Sequence, residues 1–227
     1  MKEFNQAEFD RFILDSGIIG FFKEPVKFKS GRLCNCYVNW RTAAEDAYLL
    51  DQLADFVMSF VISHKLSVDT FYGVPEGATK LGILTQYKWA RSQSNFALGS
   101  HVLSMGRGKI KDHGDPKDKS FLASPKGKTI VLEDVTSTGG SLIEAVAKLQ
   151  GLNVNVVAAI ALTNRNEYND ERKKVDEILK SKGVPYFAMS NLLTLLPQLC
   201  TTQKQNPQII GAIEEYFKKY GTQPLSL

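Results

Sequence analysis

"TIVLEDVTSTGGSLIEAV", residues 129–146, sets two carboxylates directly against a loop built to bind an anion. Ile130, Val131 and Leu132 read as a short buried strand, and residues 142–149 as an amphipathic helix. Between them run Glu133, Asp134 and Val135, then an unbroken series of small residues: Thr136, Ser137, Thr138, Gly139, Gly140 and Ser141. Glycines and small hydroxyl residues at a helix start expose backbone N–H groups that attract phosphate. Carboxylates repel phosphate. A ligand that suits both must carry donors at one end and an anion at the other.

An ordinary strand-to-helix turn with a Thr or Ser cap explains one or two hydroxyls, but not two acids ahead of a small-residue run. A Walker-type loop requires a lysine that is missing here, and the Gly-x-Gly-x-x-Gly dinucleotide fingerprint is missing too. A ribose 5-phosphate satisfies both halves. Its 2- and 3-hydroxyls donate to Glu133 and Asp134 while the N–H groups of residues 137–141 hold the phosphate.

The stretch resembles the phosphoribosyl-pyrophosphate (PRPP) motif of the type I phosphoribosyltransferases: an apolar strand, two acids, an apolar residue, then a Thr-, Ser- and Gly-rich loop. Three further segments narrow the resemblance to the orotate phosphoribosyltransferases. "FKSGRLCNCYVN" (28–39) is similar to their early Lys-Ser-Gly-Arg turn and following strand, "RGKIKDHG" (107–114) to their basic mobile loop, and "LTNRNEY" (162–168) to a late strand end carrying an arginine.

What the resemblance implies is specific. The fold is α/β: a mostly parallel sheet flanked by helices, with an N-terminal hood from about residues 1–40 and the C-terminal region. A mobile basic loop spans about 106–120, and the whole of 1–227 makes one domain. The activity is transfer of the 5-phosphoribosyl group from PRPP to orotate, giving orotidine 5-monophosphate and pyrophosphate in pyrimidine (UMP) biosynthesis. Lys29 reaches PRPP from the hairpin and also borders orotate. Tyr37 and Val38 edge the orotate pocket, Ser137 touches orotate from the phosphate loop, and Arg165 pairs with its carboxylate or carbonyl, where a planar, permanently charged fork is suited. Glu76 and Gly77 stand in the pyrophosphate turn. Arg107, Lys109, Lys111 and His113 lie against the leaving pyrophosphate of PRPP, and Arg107, Lys111, His113 and Asp134 form the catalytic set. Mg²⁺ is the cofactor, bound mainly through ligand oxygens and water. A homodimer is implied, the loop of one copy closing over the neighbouring site.

The chain departs from that pattern in three places. The family's lysine in the turn after the second sheet strand is replaced by Glu76-Gly77, with Lys80 a helical turn further on. Gly108 stands where a second basic residue follows the loop arginine, and Cys34-Asn35-Cys36 replaces a Ser-Pro-Tyr-like run.

The rest of the chain fits one soluble α/β domain. It has 227 residues, 43% apolar and 23% charged, and its net charge of +4 is too mild to imply nucleic acid. No uncharged apolar run reaches membrane-spanning length, so no membrane partner is expected and the cytoplasm is the expected compartment. Cys34, Cys36 and Cys200 make no disulfide framework and share no ligand spacing with a histidine, so they read as reduced and structural. Periodicity predicts helices over 5–15, 43–62, from near 78, over 170–181, 191–198 and 207–219. It predicts a hairpin over 25–41 and strands at 68–72, 100–105 and 154–164, with a last strand in "VPYFAMS" (184–190). Trp40, Trp89, the phenylalanines near 21 and the leucines of 190–199 read as packing. Two rival functions share the PRPP loop: a phosphoribosyltransferase for another nucleobase, and a non-catalytic regulator that senses PRPP.

Overall fold

A computed structural model describes residues 3–108 and 120–227. The chain begins with α1 (Gln6–Asp15), whose first turn is capped by the Asn5 side chain accepting from Glu8 N–H. Its buried Phe9 and Ile13 are one turn apart, so the helix lays a single apolar stripe on the core. An antiparallel hairpin follows, β1 (Ile19–Lys27) with β2 (Leu33–Val38). It starts earlier than the alternation at Val26 and Phe28 suggests. A register shift between Phe21 and Val26 breaks the period of two and hides the first half of β1 from pattern reading.

The single helix expected over 43–62 is two, α2 (Arg41–Glu45) and α3 (Ala47–Ser63). Asp46 between them is extended (φ −103°, ψ 126°), and its carboxylate caps Leu49 N–H at 2.8 Å. Next come β3 (Thr70–Gly73), α4 (Thr79–Ser92) and a short antiparallel pair, β4 (Met105–Gly106) with β5 (Phe121–Ala123). The strand expected over 100–105 is therefore only a two-residue stub outside the main sheet. Leu103 is half exposed, so the apolar side chains that suggest a buried strand have no sheet face to bury.

The remaining elements are β6 (Lys128–Thr136), α5 (Gly140–Gly151), β7 (Asn155–Asn164), α6 (Val175–Ser181), β8 (Tyr186–Asn191), α7 (Leu192–Thr202) and α8 (Pro207–Tyr220). The helix expected over 170–181 begins only at Val175. Arg172 takes a left-handed conformation (φ 60°), and Asn169 Oδ1 accepts from Glu171 and Lys173 N–H, closing a turn instead.

β3, β6, β7 and β8 form one parallel sheet in the order β3-β6-β7-β8. Its two faces bury separate cores. Val131 and Ala159 pack with Leu142, Val146 and Leu149 of α5 and Leu179 of α6. Each fully buried aliphatic side chain there contributes about 1.5–3 kcal/mol. Ile130, Leu132, Ile160 and Met189 point the other way, onto α1, α3, α7, α8 and the hairpin. The leucines of α7 and Trp40 lie in that second core, as their spacing predicts.

Register positions the site. β3 ends at Gly73, opposite Leu132, while β6 runs on for four more residues. Glu133 and Asp134 thus belong to the strand rather than to the loop after it. They project past the end of β3 into the space roofed by the 74–78 turn. Among the described residues no helix is long and apolar enough to cross a membrane.

Candidate active site

Three chain turns converge beyond the carboxyl ends of the strands, where ligands of open α/β sheets bind. They are the turn after β3, the β6–α5 loop and the end of β7. The β1–β2 hairpin leans over them. Between them lies a cavity of about 490 Å³ lined by Lys29, Tyr37, Val38, Glu76, Gly77, Glu133, Asp134, Val135, Ser137, Ser141 and Arg165, all expected from sequence. An adjoining hollow of about 270 Å³ adds Thr136, Thr138, Gly139 and Gly140.

The carboxylates sit on the floor. Glu133 is only 5% exposed, and its Oε1 accepts from Asp134 N–H at 3.2 Å. Burial, then the neighbouring Asp134 carboxylate, pushes the Glu133 carboxyl well above its ordinary value, and Lys29 offsets part of this. Asp134 turns its Oδ1 back onto Val135 N–H at 2.7 Å. Gly77 makes room for it, because a Cβ at position 77 would collide with the Asp134 carboxylate. A side chain at position 77 would therefore displace the Asp134 carboxylate from this position.

The β6–α5 loop is open to a ligand. Ser137 Oγ accepts from Thr138 N–H at 2.6 Å, while the N–H groups of Ser137, Gly139, Gly140, Ser141 and Leu142 have no acceptor among the described residues. Gly139 is left-handed (φ 78°), and a Cβ there would run into Val175 of α6. Five N–H groups at a helix start are a cradle for a phosphate. Lys29 Nζ reaches across from the hairpin to Ser141 Oγ at 3.1 Å and brings a positive charge to the same rim.

The opposite wall carries Arg165, 2% exposed and stacked on the Phe28 ring at 4.3 Å. Its Nε donates to Glu167 Oε1 at 2.7 Å. Cys34 and Cys36 face the same side of β2, with sulfurs 3.4 Å apart, and Arg165 Nη2 lies 3.9 Å from Cys36 Sγ. Hydrogen bonding with Cys36 pulls the Cys34 thiol below its ordinary value, and the Arg165 charge adds to this. All three cysteines are unbridged.

Arg107 begins beside this cavity, not within its wall. Its N–H donates to Ser120 O at 3.0 Å, and the adjacent Gly108 lies against the Glu76 carboxylate. Lys109, Lys111 and His113 lie outside the described residues. Lys80 turns away from the site and donates to Ala44 O at 3.0 Å, so it does not replace the missing lysine. Sequence reading overlooks Phe28 and Arg41 on the cavity wall and Glu167 behind it. Only Glu167 offers a signal, two residues from Arg165 in the same quoted stretch. Among the described residues no cluster of three or more His, Cys, Asp or Glu side chains could hold a metal ion.

No protein-family model matches the sequence. The chain is 25% identical over 224 residues to the orotate phosphoribosyltransferase of Polynucleobacter necessarius, covering 96% of this chain and 97% of that enzyme. It is 26% identical over 226 residues to that of Ralstonia pickettii, covering 95% of each. In structure it matches the orotate phosphoribosyltransferase of Francisella tularensis over 95% of this chain and 100% of that one, with TM-score 0.66 and 18% identity. The Mycobacterium tuberculosis enzyme in complex with PRPP matches over 84% of this chain and 98% of its own, with TM-score 0.56 and 18% identity. The adenine phosphoribosyltransferase of Leishmania donovani also matches, over 89% of this chain and 88% of its own, with TM-score 0.58 and 11% identity. The architecture is the type I phosphoribosyltransferase fold.

Proposed function

We infer that this protein is an orotate phosphoribosyltransferase, transferring the 5-phosphoribosyl group of PRPP to orotate to give orotidine 5-monophosphate and pyrophosphate. One observation carries the reading. One site, a cavity with an adjoining hollow, holds a pair of carboxylates and a cradle of unengaged N–H groups on one side, and a buried arginine on the other. A sugar diol, its phosphate and an acidic base can occupy those three places together.

The reaction forms a bond between an orotate nitrogen and the ribose C1 as the bond from C1 to the pyrophosphate oxygen breaks. Positive charge grows on the ring and negative charge on the leaving group. Catalysis then rests on position and fixed electrostatics, not on a protein nucleophile. Glu133 and Asp134 accept from the 2- and 3-hydroxyls and favour cationic character at the ring. Residues 137–141 hold the 5-phosphate, with Lys29 above them. Tyr37, Val38 and Ser137 border the base, and Arg165 faces its acid group. Arg107, Lys109 and Lys111 balance the departing pyrophosphate, and His113 hydrogen-bonds or protonates it.

Mg²⁺ would be carried on the substrate. Glu76, Glu133 and Asp134 line the cavity, but among the described residues they form no cluster able to hold an ion by themselves, so the cation would keep most of its bonds to ligand oxygens and water. When bound, Mg²⁺ supplies charge neutralisation at the pyrophosphate. We further propose one domain over 1–227, a cytoplasmic setting suited to its unbridged cysteines, and a homodimer in which loop 106–120 closes over the neighbouring site and excludes water.

Incubation with PRPP, Mg²⁺ and a panel of bases tests the reading, following orotate absorbance and pyrophosphate release. Orotate alone should be consumed. Release with a purine and not with orotate would move the protein to another base specificity. PRPP binding without turnover of any base would make it a sensor.

A further inference from the structure

Arg165 is held in a way that leaves part of its guanidinium unused. Its Nε is engaged by Glu167 at 2.7 Å. Among the described residues its two terminal nitrogens have only Cys36 O at 3.5 Å and Cys36 Sγ at 3.9 Å, both at or beyond the range of a good hydrogen bond. The residue lines the cavity, so the spare donors border the space a ligand would fill. Phe28 covers one face of the fork and prevents it from tipping.

Glu167 is the hub of this arrangement. Its side chain is wholly buried, and its second oxygen lies 3.4 Å from Arg32 Nη1. Arg32 is itself pinned by Tyr168 O at 2.8 Å, Asp170 at 2.8 Å and the Tyr220 ring at 4.5 Å. The backbone is anchored as firmly. Asn166 is left-handed (φ 57°), Thr222 N–H donates to Asn166 O at 2.7 Å, and Tyr168 N–H donates to Tyr220 O at 2.9 Å. The end of α8 thus fixes the turn that fixes Glu167. Glu167 pairs with both arginines from within the core, while Asp170, almost fully exposed, meets Arg32 alone from the solvent side.

We propose that Glu167, braced by Arg32, is the positioning residue for base recognition. By occupying Nε it sets the angle of the Arg165 fork, so that the free edge meets the acid group of the incoming base. Arg32 acts at one remove, since it is not on the cavity wall. The proposal rests on the orotate reading above and adds the residue that makes Arg165 specific.

Steady-state kinetics of Glu167→Gln against wild type tests it. Gln keeps the shape and loses the charge that engages two arginines. The expected result is an orotate KM raised about tenfold or more, the scale of a lost charge-assisted hydrogen bond, with the PRPP KM unchanged. If Glu167→Gln does not fold, Arg32→Lys takes its place, with a smaller rise confined to orotate. A normal orotate KM in a folded variant, or equal rises in both KM values, overturns the proposal. Wild type run alongside separates the two ideas. No orotate turnover by wild type removes the functional reading and this proposal together, whereas normal turnover with an indifferent Glu167→Gln removes this proposal alone.

Discussion

Replacing Glu133 with Gln should make the ligand-free protein more stable at neutral and alkaline pH while damaging its use of PRPP. The side chain is 5% exposed, and burial holds its carboxyl well above the ordinary value, with Asp134 adding to the effect. A carboxyl raised in this way binds more protons folded than unfolded. Its ionisation therefore opposes folding. Stability falls as pH rises from the ordinary carboxylate value to the raised one, by up to about 1.4 kcal/mol for each pH unit between them. Above the raised value the loss is complete and constant. Lys29 offsets part of it, while Tyr186, itself buried, supplies no compensating positive charge. Gln cannot ionise and escapes the loss. For a chain of this size each kcal/mol moves Tm by about 2–4 °C, so the variant should melt measurably above wild type at pH 8. At pH 4 it should gain nothing. Scanning calorimetry of both proteins at pH 4, 6 and 8 measures this, and kinetics should show the PRPP KM raised about tenfold or more. A Gln variant that melts below wild type at pH 8 would refute the reasoning, because it would mean that the folded protein already satisfies the ionised carboxylate.

Asp134→Asn should reduce kcat/KM for PRPP at least about tenfold while thermal unfolding stays near wild type, since Asp134 is only half-buried; equal loss of folding and activity would favour a structural role. Gly77→Ala should raise the PRPP KM and leave the orotate KM alone, because the new Cβ would press on the Asp134 carboxylate and not on the hairpin wall. Chelating Mg²⁺ should abolish turnover without changing the Tm of the ligand-free protein, in keeping with a metal carried by the substrate; a drop in Tm would indicate a resident ion.

The β6–α5 segment is readable from sequence because every requirement there is local. An apolar run, two acids and a small-residue loop can each be recognised by their chemistry, and a ribose 5-phosphate satisfies them jointly. The leucines of α7 are readable for the same reason, since a helical period is a local property. What pattern reading misses is set by contacts distant in sequence. β1 is masked by its register shift against β2, and the Met105–Gly106 stub pairs with Phe121–Ala123, far along the chain. Glu167 lies two residues from Arg165, which hints at their pairing, but its brace, Arg32, is 135 residues away and cannot be read locally. Lys80 looks like a nearby substitute in the linear chain, but the start of α4 points it at Ala44 O.

The two halves of the cavity also differ in what they can decide. The proposed ribose half consists of Glu133, Asp134 and the 137–141 cradle, and the ribose phosphate assigned to it is independent of the base. The fold agrees, since an adenine enzyme matches it about as well as an orotate enzyme does. Discrimination must therefore lie on the hairpin side. There the wall carries Lys27, Lys29, Arg41 and Arg165. Lys29 is committed to Ser141, and the Arg165 charge is balanced by Glu167 from behind. A neutral purine offers Arg165 only uncharged acceptors, whereas an acidic pyrimidine offers a carboxylate. A charge-assisted hydrogen bond is roughly twice as strong as a neutral one. Specificity on this account comes from the charge and fork geometry of the group that completes the Arg165 guanidinium, not from the presence of an acceptor as such.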